Sequence, residues 1–165
     1  MRNGTILYLS MRAMPSCDTL IRGAKLLDGS GAPPERLDLA IAGDRIRAIG
    51  VDLRLPATVV IQGEGLYLSP GFIDVHTHDD LAVLHAPAMT AKITQGITTV
   101  IVGNCGISAS PVKLRSGLPD PMNLLGAATE FRYPTFAAYR EAVNAARPAV
   151  NVAALVGHTA LRNNH

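Results

Sequence analysis

His76 and His78 stand one residue apart at the end of an apolar run, Phe72-Ile73-Asp74-Val75, that follows the break Pro70-Gly71. Two acids, Asp79 and Asp80, come directly after them. If the run is a strand, Asp74, His76 and His78 project to one face, because side chains alternate with period two. The histidine Cα atoms then lie roughly 6.6 Å apart. At that separation two imidazoles can converge on one metal ion, each about 2.0–2.1 Å from it. The same two histidines also suit a plainer role as polar groups meeting solvent or backbone at a strand end.

Two further residues of metal-binding or titratable type follow at comparable places. Cys105 lies in Gly103-Asn104-Cys105-Gly106, directly after the β-branched run Ile97-Thr98-Thr99-Val100-Ile101-Val102. His158 lies in Gly157-His158-Thr159, after Val150-Asn151-Val152-Ala153-Ala154-Leu155-Val156. Imidazole nitrogen and thiolate sulfur suit zinc, and a catalytic zinc typically has three protein ligands with a fourth position left for water. Water there can reach a pKa near about 7. Asp74 could orient a ligand or be an ordinary hydrogen-bonded carboxylate. Cys105 could be a ligand, a nucleophile or an inert small residue. His158 could bind substrate, bind metal or end a strand. Asp79 and Asp80 suit positioning a ligand, capping or solvation equally.

The elements that must position these groups read β-α-β-α-β from Pro70 onward. Phe72–Val75 is expected as a first buried strand. A helix is expected over Ala86–Gln95, ended by Gly96 in the left-handed position. The run 97–102 is expected as a strand covered on both faces of a parallel sheet. Residues 107–133, broken by Pro111, Pro119 and Pro121, read as a functional loop. Phe136, Tyr139, Val143 and Ala146 then form one stripe of a helix over Thr135–Arg147, stopped by Pro148. Val150–Val156 is expected as a third buried strand. In such units functional side chains gather at the C-terminal ends of the strands, the place of His76, His78, Cys105 and His158.

Before Pro70 the pattern is short strands and turns. Thr19–Leu27 is strand-like and a breaker-rich loop, 28–34, follows. Leu37–Ile41 and Ile46–Ile49 alternate around Ala42-Gly43-Asp44-Arg45 as a hairpin. Val59–Ile61 and Leu66–Leu68 extend a small, mostly antiparallel β unit. Residues 1–13 match nothing after them and read as an extension, with Met14 a candidate start.

Composition narrows the function classes. Of 165 residues 48% are hydrophobic and 17% charged, as in a globular protein. A net charge of +2 without a basic run gives no electrostatic case for nucleic acid or membrane lipid. No apolar stretch reaches the about 18 residues of a membrane span. The two cysteines, Cys17 and Cys105, fit a reduced protein better than a disulfide framework, and a cytoplasmic location is expected.

The stretch from Pro70 to Asp80 resembles the first-strand motif of the amidohydrolase superfamily, in the form ending Asp-Asp. With Gly96–Val100, Val102–Ser108 and Gly157–Arg162 it is similar to the D-aminoacylases, the N-acyl-D-amino-acid deacylases. Asn123-Leu124-Leu125-Gly126, Phe131, Pro134-Thr135-Phe136 and the opening 18–31 share in the likeness. The resemblance implies an α/β fold. Residues 14–70 would be part of a small β-sandwich. Residues 71–165 would be the first three or so strands of a (β/α)8 metal-dependent hydrolase barrel. It implies hydrolysis of N-acyl-D-amino acids, small molecules, to a carboxylate and a D-amino acid with one or two zinc ions. His76 and His78 would serve one metal position and Cys105 another, with Asp74, Asn104 and His158 as substrate-binding or supporting candidates. The family's further histidines and its aspartate acid/base come from later strands, so a catalytic acid/base is expected beyond His165. A (β/α)8 barrel typically needs about 250 residues, so these residues are expected to be the N-terminal third of an enzyme and inactive alone. A cyclic amidase of the dihydroorotase or hydantoinase kind is the alternative activity, against which the Asn104-Cys105 pair argues. An inactive fragment without a catalytic role is the alternative of another class.

Overall fold

A computed structural model describes residues 16–115 and 117–164; the expected extension 1–13 and the candidate start Met14 lie outside them. The chain divides into two compact units, the first ending at Pro70 and the second beginning at Gly71.

The first unit is one sheet of β1 (Cys17–Leu26), β2 (Glu35–Ala42), β3 (Arg45–Gly50), β4 (Ala57–Gln62) and β5 (Tyr67–Leu68), in the order β3-β2-β1-β4 with β5 also on β1. The expected hairpin forms between β2 and β3, with Ala42 opposite Arg45 and Gly43 left-handed at φ +58°. The unit is less antiparallel than expected, since β4 and β5 both run parallel to β1. After β3 the chain crosses to the far side of β1 instead of turning back beside β3, and Cys17 N–H bonds Pro56 O at 3.0 Å on arrival. A bulge bends β1 between Ile21 and Ala24. Gly23 turns there at φ +66°, and its N–H donates to the buried Asp38 carboxylate at 2.8 Å. Cys17, Leu20 and Ala40 form the small core. Ile21, Leu39, Ile41, Ile46, Ile49 and Leu68 line an open apolar groove of about 320 Å3.

The second unit carries β6 (Phe72–Asp74), α1 (Ala82–His85), α2 (Thr90–Ile93), β7 (Ile97–Val102), α3 (Phe136–Ala146), β8 (Asn151–Ala154) and α4 (His158–Arg162). Its three strands are parallel in the order β6-β7-β8, with the apolar run 97–102 in the centre as its β-branched composition predicts. Val100 and Val102 point into a core with Leu81, Val83, Ile107, Met122, Tyr139 and Ala160. Their neighbour Ile101, on the opposite face, is only half-buried, so β7 is fully covered on one face and not on both.

The flanking strands are shorter and more exposed than expected. Phe72, Ile73 and Val75 are exposed because β6 is a sheet edge. On β8, Leu155 and Val156 lie past the last ladder pair and are exposed as well. The helix expected over 86–95 is two short turns, α1 and α2. Pro87 interrupts between them, and Met89 sits left-handed at φ +44°. Gly96 does take the expected left-handed geometry, at φ +78°. The helix over 135–147 forms as α3, its Thr135 hydroxyl capping the N–H of Ala138 at 3.2 Å. Tyr139 and Val143 of the stripe reach the core, while Phe136 stays exposed. The described residues of the segment 107–133 have little regular structure beyond two 3-10 turns, yet Ile107, Ala109, Val112 and Met122 anchor it in the core. Among the described residues, no helix is long and apolar enough to cross a membrane.

One position fixes how closely β7 and β8 end together. Gly103 follows β7 at φ +81°, and a Cβ there would lie 2.2 Å from the carbonyl oxygen of Leu155. Gly103→Ala is therefore expected to cost about 2–5 kcal/mol, combining left-handed strain with overpacking against backbone. Thermal unfolding checks it: the midpoint should fall by about 8 °C or more.

Candidate metal centre

Strand β6 stops at Asp74, so His76 and His78 lie on the loop just past it and not on the strand itself. That loop stays tied to β7 through Thr77 N–H to Ile101 O at 3.4 Å. Cys105 comes from the next loop, past the end of β7. There the chain turns tightly through three left-handed residues, Gly103, Cys105 and Gly106. Cys105 is the only one of them with a side chain, and its φ of +55° is a conformation that costs a non-glycine residue energy.

The two loops bring His76, His78 and Cys105 together, with one ligand atom from each lying within 4.8 Å of the others. His76 Nε2 is 2.9 Å from Cys105 Sγ. The two imidazole centroids are 5.8 Å apart, edge to face. His78 Nδ1 is buried and has no hydrogen-bond partner among the described residues. A buried polar atom without a partner is costly unless something else satisfies it. Two imidazoles and a thiol are the donor chemistry of a zinc site. Donor set, spacing and the unsatisfied nitrogen all fit a metal ion.

The other candidates stand around this group in different ways. Asn104 bridges the two loops, its amide donating to Ile101 O at 2.6 Å and to Thr77 O at 3.5 Å. Asp74 is outside the three-donor group. Its carboxylate accepts from Lys92 Nζ at 2.7 Å and from His76 N–H at 3.3 Å. The Lys92 bond chiefly holds the Asp74 carboxyl below the usual carboxylate range. His158 is also outside the group, as the exposed first residue of α4. Its helix start is fixed near the cysteine loop by Thr159 N–H to Gly106 O at 2.8 Å, and by Gly157 N–H to Ser108 Oγ at 3.0 Å.

Asp80, open between ligand positioning and capping in the sequence, is an internal fastener. It is buried, and its two carboxylate oxygens accept from Gly103 N–H at 3.2 Å and Ala109 N–H at 3.0 Å. Burial raises its pKa, with those backbone bonds acting the other way. The Tyr139 hydroxyl donates to the Asp80 backbone oxygen at 2.7 Å, and burial pushes that phenol's pKa up. Sequence reasoning missed Lys92, which sits in an unremarkable helical stretch. Its ammonium lies 2.7 Å from Asp74 and 3.0 Å from Asp79. Burial works against its charge, but the two carboxylates outweigh that and raise its pKa. Both cysteines are free: Cys17 is buried in the first unit and Cys105 is exposed at this site.

The loops after two neighbouring parallel strands thus bring two histidines and a cysteine to one edge of the sheet. A profile of the Amidohydrolase family matches residues 59–165, and the chain belongs to that family. Within it the chain is 49% identical over 150 residues to an N-acyl-D-aspartate deacylase of Alcaligenes xylosoxydans xylosoxydans, covering 91% of this chain and 30% of that protein. It is 46% identical over 145 residues to a D-aminoacylase of the same organism, covering 88% and 30%. Among solved structures, an N-acyl-D-glutamate deacylase from Bordetella bronchiseptica, complexed with zinc and a phosphonate inhibitor, superimposes with a TM-score of 0.80. That match has 46% identity and covers 90% of this chain and 31% of the other. The chain thus spans about 30% of the length of the relatives it matches. The mixed α/β fold is that of D-aminoacylase, with a TM-score of 0.84 to its crystal structure.

Proposed function

We propose that these residues belong to a zinc-dependent N-acyl-D-amino-acid deacylase. Such an enzyme adds water across the amide of an N-acyl-D-amino acid, releasing a carboxylate and a free D-amino acid. The first unit would then be part of a small sandwich, and the second the opening strands of a (β/α)8 barrel. The observation that carries the reading is the meeting of His76, His78 and Cys105 within 4.8 Å, from the loops after β6 and β7. Support comes from relatives named as deacylases of N-acyl-D-aspartate and N-acyl-D-glutamate at 49% and 45% identity.

In this reading His76, His78 and Cys105 hold zinc, as one position or as parts of two. Zinc supplies the Lewis acidity that makes amide hydrolysis accessible at neutral pH. The thiolate brings the one negative charge of the donor set, and the histidines bring neutral nitrogen donors. Asn104 keeps the cysteine loop in register with the histidine loop. Asp80 holds the far side of the cysteine loop by two backbone N–H groups. The acid or base that moves protons during turnover is assigned to residues outside this stretch.

The test is turnover by the full-length gene product on paired N-acyl-D- and N-acyl-L-amino acids, with this 165-residue chain assayed beside it. Deacylation of the D-substrates that chelation abolishes and zinc restores is the expected result. The 165-residue chain alone is expected to give none. Equal turnover of L-substrates, or activity indifferent to chelation, would contradict the proposal.

A further inference from the structure

Lys92 reaches both ends of the segment bearing the two histidines. Its ammonium meets Asp74, two residues before His76, and Asp79, the residue after His78. It also donates to Thr77 Oγ1 at 3.2 Å, between the histidines, and that hydroxyl donates in turn to Asp79 at 2.7 Å. Side-chain exposures of 20% for Lys92, 24% for Asp74 and 21% for Asp79 separate this bridge from an ordinary surface ion pair. Lys92 belongs to α2 and is not one of the three metal donors.

We propose that Lys92 is a positioning residue for the metal centre: by clamping Asp74, Thr77 and Asp79 it sets where His76 and His78 present their nitrogens to Cys105. The inference rests on the metal-centre reading above. Without the clamp, Asp74 and Asp79 lose their common partner, and the loop between them is held chiefly by Thr77 N–H to Ile101 and by Asn104 to Thr77. The cysteine loop, fastened by Asp80 and Asn104, has no bond to Lys92 and keeps its place. Loss of Lys92 therefore acts on the histidine half of the site and spares the thiolate half.

The test is titration of Co2+ into the 165-residue chain, parent and Lys92→Met, read by absorption. Outer partners of metal ligands are typically worth about 10–100-fold in affinity, and Lys92→Met is expected to weaken Co2+ binding by about that factor. At saturating cobalt the variant should keep the thiolate-to-cobalt charge-transfer band while the ligand-field bands shift. A merely destabilised protein would lose both signatures together, in proportion to its unfolded fraction by circular dichroism, and that result would overturn the proposal. So would parent-like affinity with unchanged bands. Should Lys92→Met fail to fold, Thr77→Val cuts the middle bond of the clamp with little change of shape. Weaker cobalt binding is expected from it, and parent affinity would again overturn the proposal. A parent chain that binds no cobalt would instead refute the metal-centre reading itself, and this proposal with it.

Discussion

Cys105→Gly is expected to remove tight zinc binding without lowering the stability of the metal-free chain. The thiolate is the one anionic donor among the three grouped residues, and two neutral imidazoles are a poor zinc site by themselves. Loss of a ligand should exceed the about 10–100-fold typical of an outer partner, so affinity should fall by more than about 100-fold. The backbone predicts the opposite sign for stability. Cys105 holds φ +55°, a geometry that costs a side-chain-bearing residue about 1–2 kcal/mol. Glycine relieves that strain against an entropic cost of about 0.5–1 kcal/mol. The metal-free variant should thus unfold at or slightly above the temperature of the metal-free parent. Competition with a zinc indicator and a thermal melt without metal measure the two halves. A melt lowered by several degrees would mean that the thiol is structural and the left-handed turn unstrained.

Asp80→Ala is expected to be among the most damaging single changes in the second unit. Asp80 is 1% exposed, and its carboxylate accepts from both Gly103 N–H and Ala109 N–H. Truncation leaves two backbone donors without that acceptor, each costing about 1–3 kcal/mol, or about 2–6 kcal/mol together. Against a total stability of about 5–15 kcal/mol for a typical domain, that removes much of the margin. Asp80→Asn keeps an oxygen for one N–H but turns an amide donor toward the other, so an intermediate loss is expected. Urea unfolding of the three proteins checks the order. An alanine variant as stable as the parent would show that the loop from Gly103 to Ala109 needs no internal acceptor.

Much of this site was legible because its signals are local. The run 97–102 is β-branched throughout, and its central place in a parallel sheet follows from that. Once that strand and the run after Pro70 were placed side by side, His76, His78 and Cys105 had to arrive at one edge. What could not be read was decided by tertiary context. Strand β6 ends four residues earlier than a period-two reading through His78 would extend it, and its apolar residues are exposed because it is an edge. The helix at 86–95 broke at Pro87 and Met89, and that break places Lys92 against Asp74 and Asp79. A lysine in a short turn carries no mark in sequence of the acids it will meet. Asp80 next to Asp79 illustrates the same limit. Neighbours of identical type take opposite roles, one paired with a lysine beside the histidines and one buried under the cysteine loop. His158 is the exposed first residue of α4 and stands outside the donor group.

X-ray absorption at the zinc edge of the zinc-loaded chain tests the central claim most directly. The account predicts a bound ion with a sulfur scatterer at about 2.3 Å and nitrogen scatterers at about 2.0–2.1 Å, the sulfur disappearing in Cys105→Gly. A zinc shell of nitrogen and oxygen alone, unchanged by that substitution, would contradict it.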